Sequence, residues 1–370
     1  MRSDFKARRG LRAFVATTVI SLTLGGVLAT SAAAAPPTNA QRAQRGAQRL
    51  ANQIRFNHGF VKTFGVADVT TTAYAVIGMR AAGVDKPASN LAINYLETKI
   101  GTQIQLGGHD SAGALSEYIL ASVADATDPR HFGGTGAQNN LVNRLLATQR
   151  TTGPDAGLFG VQDPTYDGAF RQGLALAALK AINANRLDAH VVAGINWLTR
   201  QQCANALWTA YRANTTVPCA AANPNTFAGP DTNSSGLAIQ GLGAWGSFPN
   251  AAVTRQRLRA VQSSDGGWPF IAAPSQPSDP DSTALVIQAL VAETNGSPVS
   301  SAWNKGTNTP YTALASYQLG CKSPGYGAFY FPPDKTANSF ATVQAVPAMA
   351  SKAFPIAAST ASVYVPLTPC

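Results

Sequence analysis

Charge is scarce in this chain. Lys and Arg number 28 and Asp and Glu 18, together only 12% of 370 residues. Disordered and solvating chains are rich in charge and poor in apolar residues, so both classes are excluded. Histidine is scarcer still. His58, His109, His131 and His190 fall on separate predicted segments, and the four cysteines show no CxxC spacing, so no metal site is expected. No glycine-rich loop of the phosphate-cradling kind occurs. His109-Asp110 has the form of a base–carboxylate pair, but no Ser or Cys nucleophile motif accompanies it. Arg42, Arg45, Arg49 and Arg55 share one predicted helix without interleaved aromatics, which reads as a solvated face and not as a nucleic-acid footprint. Neither cofactor, metal nor nucleic acid is therefore expected. Beyond residues 13–29 no apolar run is long and uncharged enough to span a bilayer, so no stable membrane anchor is expected.

The N-terminus carries what charge there is. Arg2, Lys6, Arg8, Arg9 and Arg12 against Asp4 supply a net +4 of the chain's formal net charge of +10. An apolar run, Ala13 to Ala29, and a small-residue exit, Ser31 to Pro36, follow. Basic head, apolar body and small exit make residues 1–35 a secretory signal peptide, and the mature protein is expected outside the cell. Cys203, Cys219, Cys321 and Cys370 fit an exported chain with disulfides. Local pairing, Cys203–Cys219 and Cys321–Cys370, is the simplest of three connectivities.

What is abundant is small and apolar, and it is patterned. In residues 256–293 a helix with Arg257 and Arg259 on a wet face ends at the turn Asp265-Gly266-Gly267-Trp268. A second helix, Thr283 to Ala292, is apolar nearly all round, and such a helix must be buried on every side. Wet helix followed by dry helix recurs six times, at about 41–82, 87–124, 136–182, 188–244, 250–292 and 309–350, with a tail at 351–370. An irregular period of about fifty residues marks a repeat architecture. Each dry helix follows a capping Asp or Asn with Ser or Thr nearby. Gly78, Gly113, Gly173, Gly236, Gly241 and Gly243 lie in dry helices, where they let neighbours approach closely. The last dry helix is expected to break at Pro347. Six equal pairs are enough to close a ring, and neither terminal pair has the polar outer face an open solenoid needs.

Gln262-x3-Gly266-x-Trp268, with a degraded copy at Gln202-x3-Ala206-x-Trp208, resembles the repeat motif of the squalene–hopene cyclase and protein prenyltransferase superfamily. Asp279-Pro280-Asp281-Ser282-Thr283-Ala284 is similar to the segment holding the cyclase acid motif, DxDD followed by Thr-Ala. More narrowly, the chain looks like the secreted prenyltransferase-repeat proteins of actinobacteria, and in layout like the helical domain of transcobalamin and intrinsic factor. The resemblance implies an all-α fold, a single (α/α)6 toroid of six inner and six outer helices. It makes Asp281 the candidate general acid of a terpenoid cyclase or isomerase, with Asp279 beside it and Ser282 in place of the last Asp. Helix capping is the competing role for both aspartates. The prenyltransferase zinc ligands have no counterpart.

Parallel inner helices would gather their N-termini, with their partial positive charge, at one mouth. Asp68, Asp110, Asp167, Asp231, Asp281 and Asn338 then form a polar rim, and Tyr166, Phe170, Trp268, Tyr326 and Phe329 an apolar wall. Such a site suits a small molecule: a terpenoid, or, by the resemblance, a corrinoid. A glycan cleaved by paired rim carboxylates is a weaker option, because no spacing selects a pair. Gln240, Gln288 and Gln344 are expected to form a polar ring deeper inside or to pack on backbone. The expectation is an exported, small-molecule-binding toroid.

Overall fold

Outer helices α1 (Asn39–Phe56), α3 (Lys86–Glu97), α5 (Leu141–Ala147), α7 (Ala189–Arg200), α9 (Ala251–Val261) and α11 (Pro310–Ser316) alternate along the chain with inner ones. The inner helices are α2 (Val69–Ala82), α4 (Ala112–Ala124), α6 (Ala169–Ala181), α8 (Thr232–Ala244), α10 (Pro280–Glu293) and α12 (Ser339–Met349). This computed structural model describes residues 36–160, 168–368 and 370. The leader expected at 1–35, and Tyr166 and Asp167, lie outside the described residues. Each inner helix packs on the next, and α12 packs on α2, so the ring closes as an (α/α)6 toroid. Outer helix α1 lies against both α12 and α2, over the seam.

Two hydrogen-bond devices repeat around the ring. In four repeats the N-cap residue is followed four places on by a hydroxyl: Asp68/Thr72, Asp231/Ser235, Asp279/Thr283 and Asn338/Thr342. The cap side chain takes a first-turn N–H. The hydroxyl accepts the backbone N–H of Val61, Trp208, Trp268 or Phe329 in the preceding loop, at 2.9–3.0 Å. The second device is a glutamine just past an outer helix. Gln149, Gln262 and Gln318 each donate from Nε2 to a turn carbonyl (Gly157, Gly266, Gly327) and to a carbonyl of the next repeat's outer segment. For Gln318 that second carbonyl is Arg42 on α1, so the last repeat is tied to the first.

The Gln-x3-Gly motif is thereby explained. Gly266 sits at φ +92, and a Cβ there would lie 2.8 Å from the Thr309 carbonyl, so both conformation and space demand glycine. Ala206 holds the same turn position at φ +61 in the degraded copy. The close approach expected of the inner glycines is tightest between α6 and α8, where a Cβ on Gly173 would meet the Leu237 carbonyl at 2.2 Å.

Three features depart from the sequence reading. The loops before α2, α4 and α12 contain antiparallel hairpins: β1 (Val61–Thr63) with β2 (Val66–Asp68), β3 (Gln105–Leu106) with β4 (His109–Asp110), and β5 (Phe329–Phe331) with β6 (Asp334–Asn338). Their two-residue turns are Phe64-Gly65, Gly107-Gly108 and Pro332-Pro333. Pro347 does not break α12, which continues to Met349; so near the C-terminus the ring removes little of the ladder. Helix α10 begins at Pro280, three residues before Thr283, because Asp279 is its cap.

The disulfides are Cys203–Cys219 and Cys321–Cys370, a pattern of oxidising surroundings. Among the described residues no helix is long and apolar enough to cross a membrane. The tail folds back under the ring. Val363 bridges Val84, and the buried Arg80 guanidinium donates to the Ser359 and Ala361 carbonyls.

Candidate functional site

A cavity of about 870 Å³ opens at the N-terminal ends of α2, α10 and α12. The β1–β2 and β5–β6 hairpins stand over it and supply Lys62, Phe64, Phe331 and Asp334; Phe340 comes from the start of α12. Phe64 occupies the hairpin tip at φ +50 and is 99% exposed. A bulky residue in the left-handed region is uncommon, and an aromatic so fully in water gains nothing from burial.

Of the rim residues expected from sequence, Asp68, Asp281 and Asn338 line this cavity. Asp68 and Asn338 cap α2 and α12, taking the N–H groups of Thr71 and Ala341. Asp281 has a different position. Asp279 performs the capping of α10, accepting from Ser282 N at 2.8 Å, which leaves Asp281 in the first turn with no capping bond. Only 8% of Asp281 is exposed, and its Oδ1 has no hydrogen-bond partner. Burial, with the Asp279 charge adding to it, pushes the Asp281 carboxyl up to about 8. It is therefore mostly protonated at neutral pH. Ser282 Oγ is buried without a partner and does not support the acid.

The other expected residues lie elsewhere. Asp110 is not a cap; Ser111 caps α4, and Asp110 forms a two-point ion pair with Arg144 at 2.7 and 2.8 Å. Arg144 holds the Asp110 carboxyl below its usual range. Asp231 caps α8 through Ser234 N but is covered by the strand-like contacts its backbone makes with Trp208 and Ile271, and burial raises it to about 6. Trp268 and Phe329 are fully buried between ring layers, held there by the threonine hydroxyls that take their N–H groups. They are core residues and not cavity wall. Tyr326 lies under the Arg45 guanidinium and Phe170 packs on the core.

Inside the ring the polar residues are more numerous than expected. Glu117 on α4 is buried and raised to about 8, with Thr70, Tyr74 and Arg171 counteracting burial in part. Gln240, Gln288 and Gln344 are all buried. Gln288 donates to the Gln344 carbonyl, while Gln240 Oε1 accepts the N–H of Phe354 from the tail. The Phe354 ring also meets Tyr74 on α2, which is not adjacent to α8. Phe354 therefore occupies the axis and plugs the C-terminal end of the ring. Gln240 Nε2, Gln288 Oε1, Gln344 Oε1 and Glu117 Oε2 have no hydrogen-bond partner. Unpartnered buried groups are costly, so those that persist call for an explanation. Among the described residues no three His, Cys, Asp or Glu side chains group as metal ligands.

No protein-family model matches the sequence, and no curated protein matches it. Solved structures do. The unsaturated glucuronyl hydrolase of Bacillus sp. GL1 is 13% identical with a TM-score of 0.57, over 84% of this chain and 96% of that one. The apo type II terpene cyclase MstE from Scytonema, in a single-residue variant, is 12% identical with a TM-score of 0.50, over 85% and 97%. The ent-copalyl diphosphate synthase from Streptomyces platensis is 17% identical with a TM-score of 0.46 over 76% of this chain, which spans only 49% of its length. At these identities the fold alone is shared: a terpenoid cyclase-like α/α toroid.

Proposed function

We propose that this is an exported protein that binds a small amphipathic molecule in the mouth between the two hairpins, with no covalent chemistry of its own. The observation that carries the reading is Asp281: freed from capping by Asp279, largely buried, lining an 870 Å³ cavity, and carrying a carboxyl oxygen with no hydrogen-bond partner. A group of that kind is stabilised when a ligand supplies the missing bond. Phe64, Phe331 and Phe340 offer the ligand an apolar rim. The two disulfides and the basic, apolar, small-residue leader support the export half.

A second reading, acid catalysis by Asp281, is favoured by its release from capping. Its surroundings weigh against the cyclase version. Protonating an alkene needs an acid whose conjugate base is stabilised, and here burial and Asp279 stabilise the neutral form instead.

The test is native mass spectrometry of the protein from its own host, followed by thermal shift with terpenoids, corrinoids and glycans. A retained mass, or a shift that is lost in Asp281→Leu, supports the reading. No adduct and no shift from any of the three classes refutes it.

A further inference from the structure

The charges and rings around the mouth narrow the ligand class, an inference that rests on the binding reading above. Among the described residues three carboxyl groups line the cavity: Asp68 beside β1–β2, Asp281 on α10 and Asp334 at the start of β6. Among the same residues the one cation in the lining is Lys62, an exposed side chain on β1. The aromatic residues described in the lining are phenylalanines, Phe64, Phe331 and Phe340, which bring a π face and no hydrogen-bonding group of their own. Carboxylates against unadorned aromatic faces are the chemistry that holds an organic ammonium centre, which gains Coulomb attraction from one and quadrupole attraction from the other. The helix N-termini that meet at this mouth oppose a cation, but Asp68, Asp279 and Asn338 already take their first-turn N–H groups and offset that field locally.

We propose that the mouth is a site for an organic cation, its ammonium centre set between the carboxyls of Asp68, Asp281 and Asp334 and the rings of Phe64, Phe331 and Phe340. Asp281, which lines the cavity and whose Oδ1 has no hydrogen-bond partner, is the anchor. Asp281 keeps its proton because burial, and then the Asp279 charge, favour the neutral acid; Asp68, Asp334 and Lys62 are the other charged groups in the lining. An ammonium group arriving there favours the carboxylate, so the acid ionises as the cation binds. A neutral ligand of the same shape induces no such change. Selectivity for charge over shape is thus the property that marks the site.

The experiment compares choline with its uncharged isostere, in which a tert-butyl group replaces the trimethylammonium, by NMR titration of the intact oxidised protein at pH 7.5. Choline is expected to bind at least about tenfold more tightly than the isostere. Asp281→Asn and the surface variant Asp334→Asn should each reduce that ratio, and Phe340→Leu should weaken choline more than the isostere. Circular dichroism confirms that each variant is folded, and Asp334→Asn, being exposed, keeps the test valid if Asp281→Asn is not. Equal or tighter binding of the isostere overturns the proposal and leaves the binding reading standing. Binding of neither probe while a neutral terpenoid or glycan still shifts the melting temperature has the same meaning. A choline preference untouched by both carboxyl variants overturns the assignment to this mouth.

Discussion

Asp281→Asn should make the protein relatively more stable as pH rises, and the size of the effect follows from the site. In the folded state the Asp281 carboxyl titrates at about 8, against 3.8 for an unperturbed aspartate. Between those values the native protein holds a proton that the unfolded chain has released. Its contribution is fully present below pH 3.8 and is lost as pH rises towards 8, at up to about 1.4 kcal/mol per pH unit. Glu117, also raised to about 8, adds a second proton over nearly the same window. Wild-type stability should therefore fall by roughly 2.7 kcal/mol per unit from these two groups together, and D281N should show about half that slope. An amide matches the shape of the neutral acid, so the two proteins should be closest in stability at or below about pH 4, where the unfolded aspartate is protonated too. Between pH 5 and 7 the variant should gain on the wild type by about 3 kcal/mol. Urea unfolding at half-unit pH steps, read as midpoints with a common m-value, measures the difference directly. Parallel curves, within about 0.5 kcal/mol over that range, would show that Asp281 is ionised in the fold and would refute the account of the site.

Other perturbations probe the frame that builds the mouth. Gln318→Ala removes the donor shared by the Arg42 and Gly327 carbonyls and should cost about 2 kcal/mol, with faster amide exchange concentrated in α1 at the ring seam. Gly173→Ala places a methyl 2.2 Å from the Leu237 carbonyl, so α6 and α8 must part; a loss above about 2 kcal/mol in thermal unfolding is expected, and a neutral result would mean the two helices are not in backbone contact. Replacing Cys203 and Cys219 together by Ser opens a loop of 16 residues and should cost about 3 kcal/mol by urea unfolding, without disturbing the mouth.

Architecture was the most legible layer, because it is written in periodicity. Helices apolar on every side can only be inner ones, and the arginines of α9 mark an outer one, so six pairs and a ring follow from the string. The site was less legible for a local reason. Any Asp before a dry helix qualifies as a cap by residue type, but the spacing that matters is Asp or Asn followed four residues later by Ser or Thr. Asp279/Thr283 fits that spacing and Asp281 does not; Asp110, followed at once by Ser111, does not fit either. Reading the spacing would have freed Asp281 for the cavity and sent Trp268 and Phe329 into the core, since their N–H groups meet the same hydroxyls. The hairpins were missed because strands of two to five residues leave almost no alternation to read. Phe64-Gly65 and Gly107-Gly108 at their turns were the available signal. Glu117 was also visible, as the one charge in an otherwise apolar or small helix.

On the binding reading proposed above, the polar groups inside this toroid suit recognition better than strong acid chemistry. A carboxylic acid becomes a strong proton donor when donors or cations surround its conjugate base. Asp281 has a carboxylate neighbour, a serine that makes no bond to it and a buried oxygen with no hydrogen-bond partner. Gln288 and Gln344 carry buried oxygens, and Gln240 a buried nitrogen, with no hydrogen-bond partner, and the Gln240 oxygen is taken by the backbone of Phe354. Such groups leave the reacting bond of a hydrocarbon without an acid strong enough to protonate it. For a ligand that carries its own positive charge they are complementary, because neutral acids and amide oxygens can each be drawn into use by it. On the proposed reading it is this lining of weak acceptors, more than the shared fold, that would select an occupant.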